Sequence, residues 1–158
     1  MSKVVFSALI FSCAYISSEV LASSEVSLDL AAYVDSEVNI ERIDDGEDCL
    51  DIFSQAERRY RVTSNVEKNV KVTFQSQNEW KLKHESNDGV FIPYKGIFRG
   101  NNHEEVVEKK SNVVELKQDE FSDQEYEFLI IFKAIGSMKD FSAGKYSDRV
   151  TISVSSSC

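Results

Sequence analysis

Apolar and polar residues alternate with a period of two along most of this chain, which is the period of a half-buried β-strand. EVSLDLAAYV places Val26, Leu28, Leu30, Ala32 and Val34 on one face. VNIERI follows, and then RYRVTS. In NVKVTFQS, Val70, Val72 and Phe74 alternate with Lys71 and Thr73. WKLKHE sets Trp80, Leu82 and His84 against Lys81, Lys83 and Glu85. VFIPYKGIF and SNVVELK are further short runs. YEFLIIFKAI is more continuously apolar, the mark of a central strand covered on both faces. KYSDRVTISVSS reads as one closing strand with Tyr146, Val150, Ile152 and Val154 in phase.

Turn-rich stretches separate these runs: DDGED, SNVEKN, SNDG, RGNNHEE, KQDEFSDQE and GSMKDFSAG. CLDIFSQAER has room for a turn or two of helix through Leu50, Phe53 and Ala56. Pro93 lacks an N–H, which restricts its run to a sheet edge or to a switch between sheets. About eight or nine short strands with frequent turns and almost no helix predict an all-β fold, an immunoglobulin-like antiparallel β-sandwich.

The first residues change the boundaries of that domain. MSKVVFSALIFSCAYISSEVLA has one Lys before an apolar run, and Val20-Leu21-Ala22 carries small residues where a signal peptidase tests them. This predicts a signal peptide over residues 1–22 and a single β-sandwich domain over 23–158. Serines and Glu19 interrupt the run, so it is too short and polar to span a bilayer, and no later segment is apolar enough. The expected location is therefore the periplasm, the cell surface or the extracellular space. Cleavage removes Cys13 and leaves Cys49 and Cys158. In an exported chain that pair predicts a disulfide that staples the final strand to an early part of the domain, with a bridge between two chains as the alternative.

Charge and candidate chemistry narrow the function classes. The chain has 27 Asp and Glu against 18 Lys and Arg, a net charge of −9, which argues against a nucleic-acid partner. His84 falls on the Trp80/Leu82 face and reads as a packing residue; His103 lies in a polar loop. No nucleophile elbow accompanies them, so no catalytic residues and no enzymatic activity are expected. Glu41, Asp44, Asp45, Glu47, Asp48 and Asp51 cluster around Gly46 without the spacing of a calcium loop. They read as a solvated charge run, and no metal or cofactor is expected.

The segment from Ser23 to Asp35 supports two readings. It is an ordinary first strand paired in cis, or a donor strand that completes a neighbouring subunit, with Val26, Leu28, Leu30, Ala32 and Val34 filling the neighbour's groove. Periodicity does not separate them, because resident and donated strands obey the same geometry.

Three stretches, in order, resemble adhesive pilins of the alternate chaperone–usher class. EVSLDLAAYVDSEVNIERIDDG is similar to a donor strand and the step into the first resident strand. VKVTFQSQNEWKLKH with IPYKGIF resembles a central strand and the "IPY" strand of such subunits. FSAGKYSDRVTISVSS resembles their closing strand. The last two also resemble secreted pilin-like domains of the spore-coat-U type. The resemblance implies an exported structural subunit of a pilus or surface fibre, with a periplasmic chaperone and an usher as partners and like subunits joined by strand exchange. The alternative is a monomeric periplasmic or surface binding module with its N-terminal strand paired in cis.

Overall fold

A computed structural model describes residues 24–157 apart from Asp48, Gln55 and Lys110. The chain divides into two units, one ending at Tyr33 and one beginning at Val34, and each is described by itself. The expected signal peptide, Ser23 and Cys158 lie outside the described residues.

The second unit is an antiparallel β-sandwich. Its strands are β1 (Val38–Arg42), β2 (Ala56–Ser64), β3 (Val70–Ser76), β4 (Lys81–His84), β5 (Phe91–Arg99), β6 (Glu104–Val107), β7 (Ser111–Leu116), β8 (Glu125–Ala134), β9 (Tyr146–Ser147) and β10 (Val150–Ser156). The larger sheet runs β1-β2-β8-β5-β4-β9, with β6 also on β5; the smaller runs β10-β3-β7. The only helical elements among the described residues are two single 3₁₀ turns, Gln118–Glu120 and Met138–Asp140.

Alternation places the core as the sequence predicts. Val70, Val72 and Phe74 of β3 are fully buried, with Val62, Val114, Leu116, Phe98 and Ile130 around them. Burying each such side chain is worth about 1.5–3 kcal/mol. Phe74, Phe98 and Phe128 form the centre: Phe98 and Phe128 ring centroids are 4.8 Å apart, and Phe74 presents its edge to both at 6.1 Å. Edge-to-face and tilted pairs of this kind add to the area term because the ring quadrupoles attract.

Four expectations are corrected. CLDIFSQAER forms no helix: residues 52–54 are a turn, and Ala56 already begins β2. The Asp51 carboxylate accepts from the Phe53 N–H at 3.0 Å, an Asx turn competing with helix. Pro93 lies in an interior strand, because β5 pairs with β8 on one flank and with β4 and then β6 on the other. The missing N–H does no harm there. The Tyr94 N–H faces β4, donating to the Trp80 carbonyl, so Pro93 faces the β8 flank just beyond the last ladder pair, Tyr94 with Ala134. YEFLIIFKAI is covered on both faces only at Ile130, Ile131 and Phe132; Glu125 and Glu127 are exposed.

The fourth correction concerns the closing strand. KYSDRVTISVSS is two strands in different sheets, β9 against β4 and β10 against β3. Asp148 makes the crossing. Its carboxylate accepts from the Tyr94 hydroxyl, from Ser76 Oγ at 2.5 Å, and from the N–H groups of Asn78 and Arg149 at 3.0 and 2.7 Å. Tyr146 therefore caps no face of β10; its hydroxyl donates to the Ser142 carbonyl at 2.8 Å, and His84 packs edge-on against its ring. Gly144, at φ +151°, passes so close to the His84 imidazole that a Cβ would overlap it.

Candidate functional site: an open groove and an unpaired segment

The site begins with two strands that each lack a neighbour. β1 is the edge of the larger sheet and pairs only with β2; β10 is an edge of the smaller and pairs only with β3. The two lie side by side without hydrogen bonds between them. Alternation points Val38 and Ile40 of β1, and Val150, Ile152 and Val154 of β10, toward the interior. All five pack against the core and are only partly buried.

Local charges hold the β1 wall. Arg61 of β2 reaches Glu127 of β8 at 2.7 Å, Glu41 of β1 at 3.4 Å and Glu125 at 3.5 Å. One guanidinium thus clamps three strands through cross-strand pairs. Tyr60, also on an inward position, stacks on Phe128 at 5.6 Å, and burial raises its phenol pKa. Beyond the end of β1 lies the acidic loop. Asp44 is its organiser: the Arg59 N–H (2.8 Å), the Gly46 N–H (3.0 Å) and Arg42 Nε (3.0 Å) all donate to its carboxylate. These bonds, led by the Arg59 N–H, hold its pKa down to about 2. Its oxygens are committed to the chain itself, and among the described residues no group of three acidic, His or Cys side chains is placed to hold a metal ion.

The first unit supplies the other half of the picture. Residues 24–33 carry neither strand nor helix, and Val26, Leu28 and Leu30 are more than four-fifths exposed. Ala32 is exposed too, as is Val34, the first residue of the second unit. A clean apolar face without cover is unusual for water-exposed chain. The following residues are pinned to the sandwich by Asn65. Its amide donates to the Asp35 carbonyl at 2.8 Å, and its side-chain oxygen accepts from the Glu37 N–H at 2.7 Å.

Both histidines have partners that suit no catalytic role. His84 Nδ1 accepts from the Ser86 N–H at 3.0 Å and its Nε2 lies 3.2 Å from the Ala143 carbonyl, so backbone takes both nitrogens. His103 is exposed beside Glu105 at 3.1 Å.

Cys49 is exposed in the loop before β2, three residues from Ile52, whose carbonyl accepts from the Ala134 N–H at 3.3 Å. Ala134 pairs with Tyr94, and Tyr94 bonds Asp148, two residues before β10 begins. Ser157 is at the far end of β10, its N–H donating to the Asn69 carbonyl at 2.8 Å. β10 spans about 20 Å at a strand's rise per residue. Cys158 lies outside the described residues, and the expected Cys49–Cys158 bond with it.

The groove was the part that sequence reasoning missed. Val38, Ile40, Val150, Ile152 and Val154 look like ordinary inward positions.

The sandwich has counterparts among solved structures. The chain is similar to a chain of the chaperone–tip adhesin complex of CFA/I fimbriae biogenesis, with a TM-score of 0.55 and 10% identity. The match covers 76% of this chain and 42% of that one. It also aligns with a chain of the CsuC–CsuE chaperone–tip adhesion subunit pre-assembly complex, from the archaic chaperone–usher Csu pili of Acinetobacter baumannii. There the TM-score is 0.46 and the identity 13%, over 77% of this chain and 40% of that one. The chain thus spans about two-fifths of the length of these structures. No protein-family model and no curated protein matches it. The likeness to the chain of the CFA/I complex is one of fold alone.

Proposed function

We propose that this chain is an exported, non-enzymatic structural subunit of a pilus or surface fibre, assembled by donor-strand complementation. Residues 24–34 of one copy enter the groove between β1 and β10 of the next. Val26, Leu28, Leu30, Ala32 and Val34 then pack against Val38, Ile40, Val150, Ile152 and Val154. The free flank of β10 pairs with the donated backbone, so main-chain bonds give affinity and alternate side chains give register.

The observation that carries this reading is the pairing of defects in one sequence. A sandwich that leaves inward-facing apolar side chains half-exposed stands beside a segment whose exposed apolar face has the spacing to cover them. Until assembly, the open groove calls for a chaperone that lends a strand, and the fold shared with a chaperone–adhesin complex supports that partner.

The test is a gel of the mature chain, boiled beside unboiled. A ladder that survives detergent and collapses on boiling is expected, and Leu28→Asp with Leu30→Asp removes it. A single monomer band in the unboiled wild type returns the chain to the other reading, a monomeric periplasmic or surface binding module with its first strand paired in cis.

A further inference from the structure

The two ends of β8 carry opposite charges that the chain leaves uncommitted. Near its C-terminal end, Lys133 stands directly opposite Lys95 of β5. Both lie on the outer face of the larger sheet, because Tyr94, Gly96 and Phe132 beside them are buried. Like charges placed directly opposite weaken a sheet, and among the described residues neither amine forms an ion pair. Acids near that end are taken. Asp148 serves Tyr94 and Ser76, Asp140 accepts from the Ser137 N–H at 2.8 Å, and Asp51 accepts from the Phe53 N–H.

The other end of β8 opens from the tight turn that bridges Ser122 and Glu125, just after the 3₁₀ turn Gln118–Glu120. Asp119 and Asp123 are exposed there, and among the described residues neither forms an ion pair. Lys68 and Lys117 share this end without reaching them. The Gln124 carbonyl accepts from the Ser64 N–H at 2.9 Å, and the next residue, Asn65, holds Asp35 and Glu37. The acidic end is therefore the end at which the chain enters the sandwich.

Strand exchange would bring these two ends together. Each strand pair of the sandwich is antiparallel, the more stable pairing per residue. A donated segment antiparallel to β10 puts Val34 at the Val150 end, and the donor's own sandwich begins there. Asp148, two residues before β10, bonds Tyr94, and Tyr94 pairs with Ala134 beside Lys133. The donor's acidic end thus faces the acceptor's lysine pair. In each copy β8 is two strands from β1, about 10 Å, so Asp123 and Lys133 stand at like distances from the joining segment. We propose that Lys95 and Lys133 of one copy receive Asp119 and Asp123 of the next, and that this contact steers each subunit onto the growing end. The proposal rests on the strand-exchange reading and adds what sets its rate. Exposed charges act chiefly by speeding encounter, and salt screens them.

The experiment follows the unboiled ladder of the full mature chain over time at roughly 0.02 M and 0.5 M NaCl, where charges are screened beyond about 20 and 4 Å. Growth is expected to be at least ~tenfold faster at the lower salt. Lys95→Glu with Lys133→Glu removes that advantage, and so does Asp119→Lys with Asp123→Lys. The aspartate reversal also lowers the net negative charge, so general repulsion between copies would speed growth where the junction slows it. All four reversals in one chain restore the wild-type rate. A synthetic peptide of residues 24–34 binds each variant as it binds the wild type, because it brings no sandwich end with it. Ladder growth indifferent to salt and to the reversals overturns the proposal and spares strand exchange. So does a slowed lysine variant that the four reversals fail to restore, which means that the lysines meet an anion other than a like copy. Absence of both ladder and peptide binding sinks strand exchange and the junction with it.

Discussion

The Tyr94 hydroxyl donates to the Asp148 carboxylate, joining β5 of the larger sheet to the point where the chain crosses to the smaller. Ser76 Oγ shares that carboxylate and accepts from the Trp80 N–H at 2.6 Å, so four segments meet at one charge. The contact also holds Trp80 at φ 62°, unusual for an aromatic residue.

Removing that charge has a large effect. Asp148→Ala leaves Tyr94 and Ser76 without an acceptor, and a loss of about 3 kcal/mol in urea unfolding is expected. Burial first, and then the Asp148 charge, raise the Tyr94 pKa well above the ordinary value. For a raised pKa the stabilisation is complete below the unfolded value of about 10 and is lost as pH climbs beyond it. Stability of the wild type should therefore fall above pH ~10, and Tyr94→Phe should flatten that decline. An unchanged alkaline slope in the variant contradicts the assignment.

Asp44 gives the opposite dependence. Its pKa is depressed to about 2, so its contribution is present above the unfolded value and disappears as pH drops toward 2. Urea midpoints measured between pH ~4 and ~2 should decline less in Asp44→Asn than in the wild type. Because Asp44 fixes the loop beyond β1, the variant is also expected to increase proteolytic nicking between Ile43 and Ser54.

Gly100 packs under the Tyr126 ring, and a Cβ there would overlap the phenol hydroxyl and lie 2.9 Å from Cζ. Gly100→Ala should destabilise by about 1–3 kcal/mol through overpacking. Adding Tyr126→Phe removes the closest atom and should restore part of that loss in a double-mutant cycle. Additive losses would mean the glycine matters for another reason.

Ile152 separates fold from assembly. Being half-exposed, it is expected to lose only about 1 kcal/mol on Ile152→Ala in the monomer, against 2–5 for a buried isoleucine. Binding of a synthetic peptide of residues 24–36 should weaken at least tenfold. Equal binding by variant and wild type would place the peptide elsewhere.

Much of the sandwich was legible as alternation. β3 alternates Val70, Val72 and Phe74 against Lys71 and Thr73, and the structure buries the first set. Period-two arguments stop at features made by distant partners. Asp148 reads as one polar residue in a strand, yet its acceptors serve β3 and β5 and split that strand in two. Pro93 signals an edge only if its N–H would have faced a partner, which depends on the end of β8. The meeting of two sheet edges, β1 beside β10 without a shared ladder, leaves no mark on either strand's own sequence. Residues 24–34 announced an apolar face, but nothing in them names what covers it.

The bare flank of β10 has one more consequence. Seven residues of unpaired backbone form a template for any extended chain, another β10 included. Two copies joined flank to flank in a symmetric dimer would leave neither β10 flank free. On the proposed strand-exchange assembly, polymer yield would be a race between this dead end and the ordered addition of residues 24–34. Dilute subunit fed slowly favours the fibre, and a concentrated stock favours the closed pair.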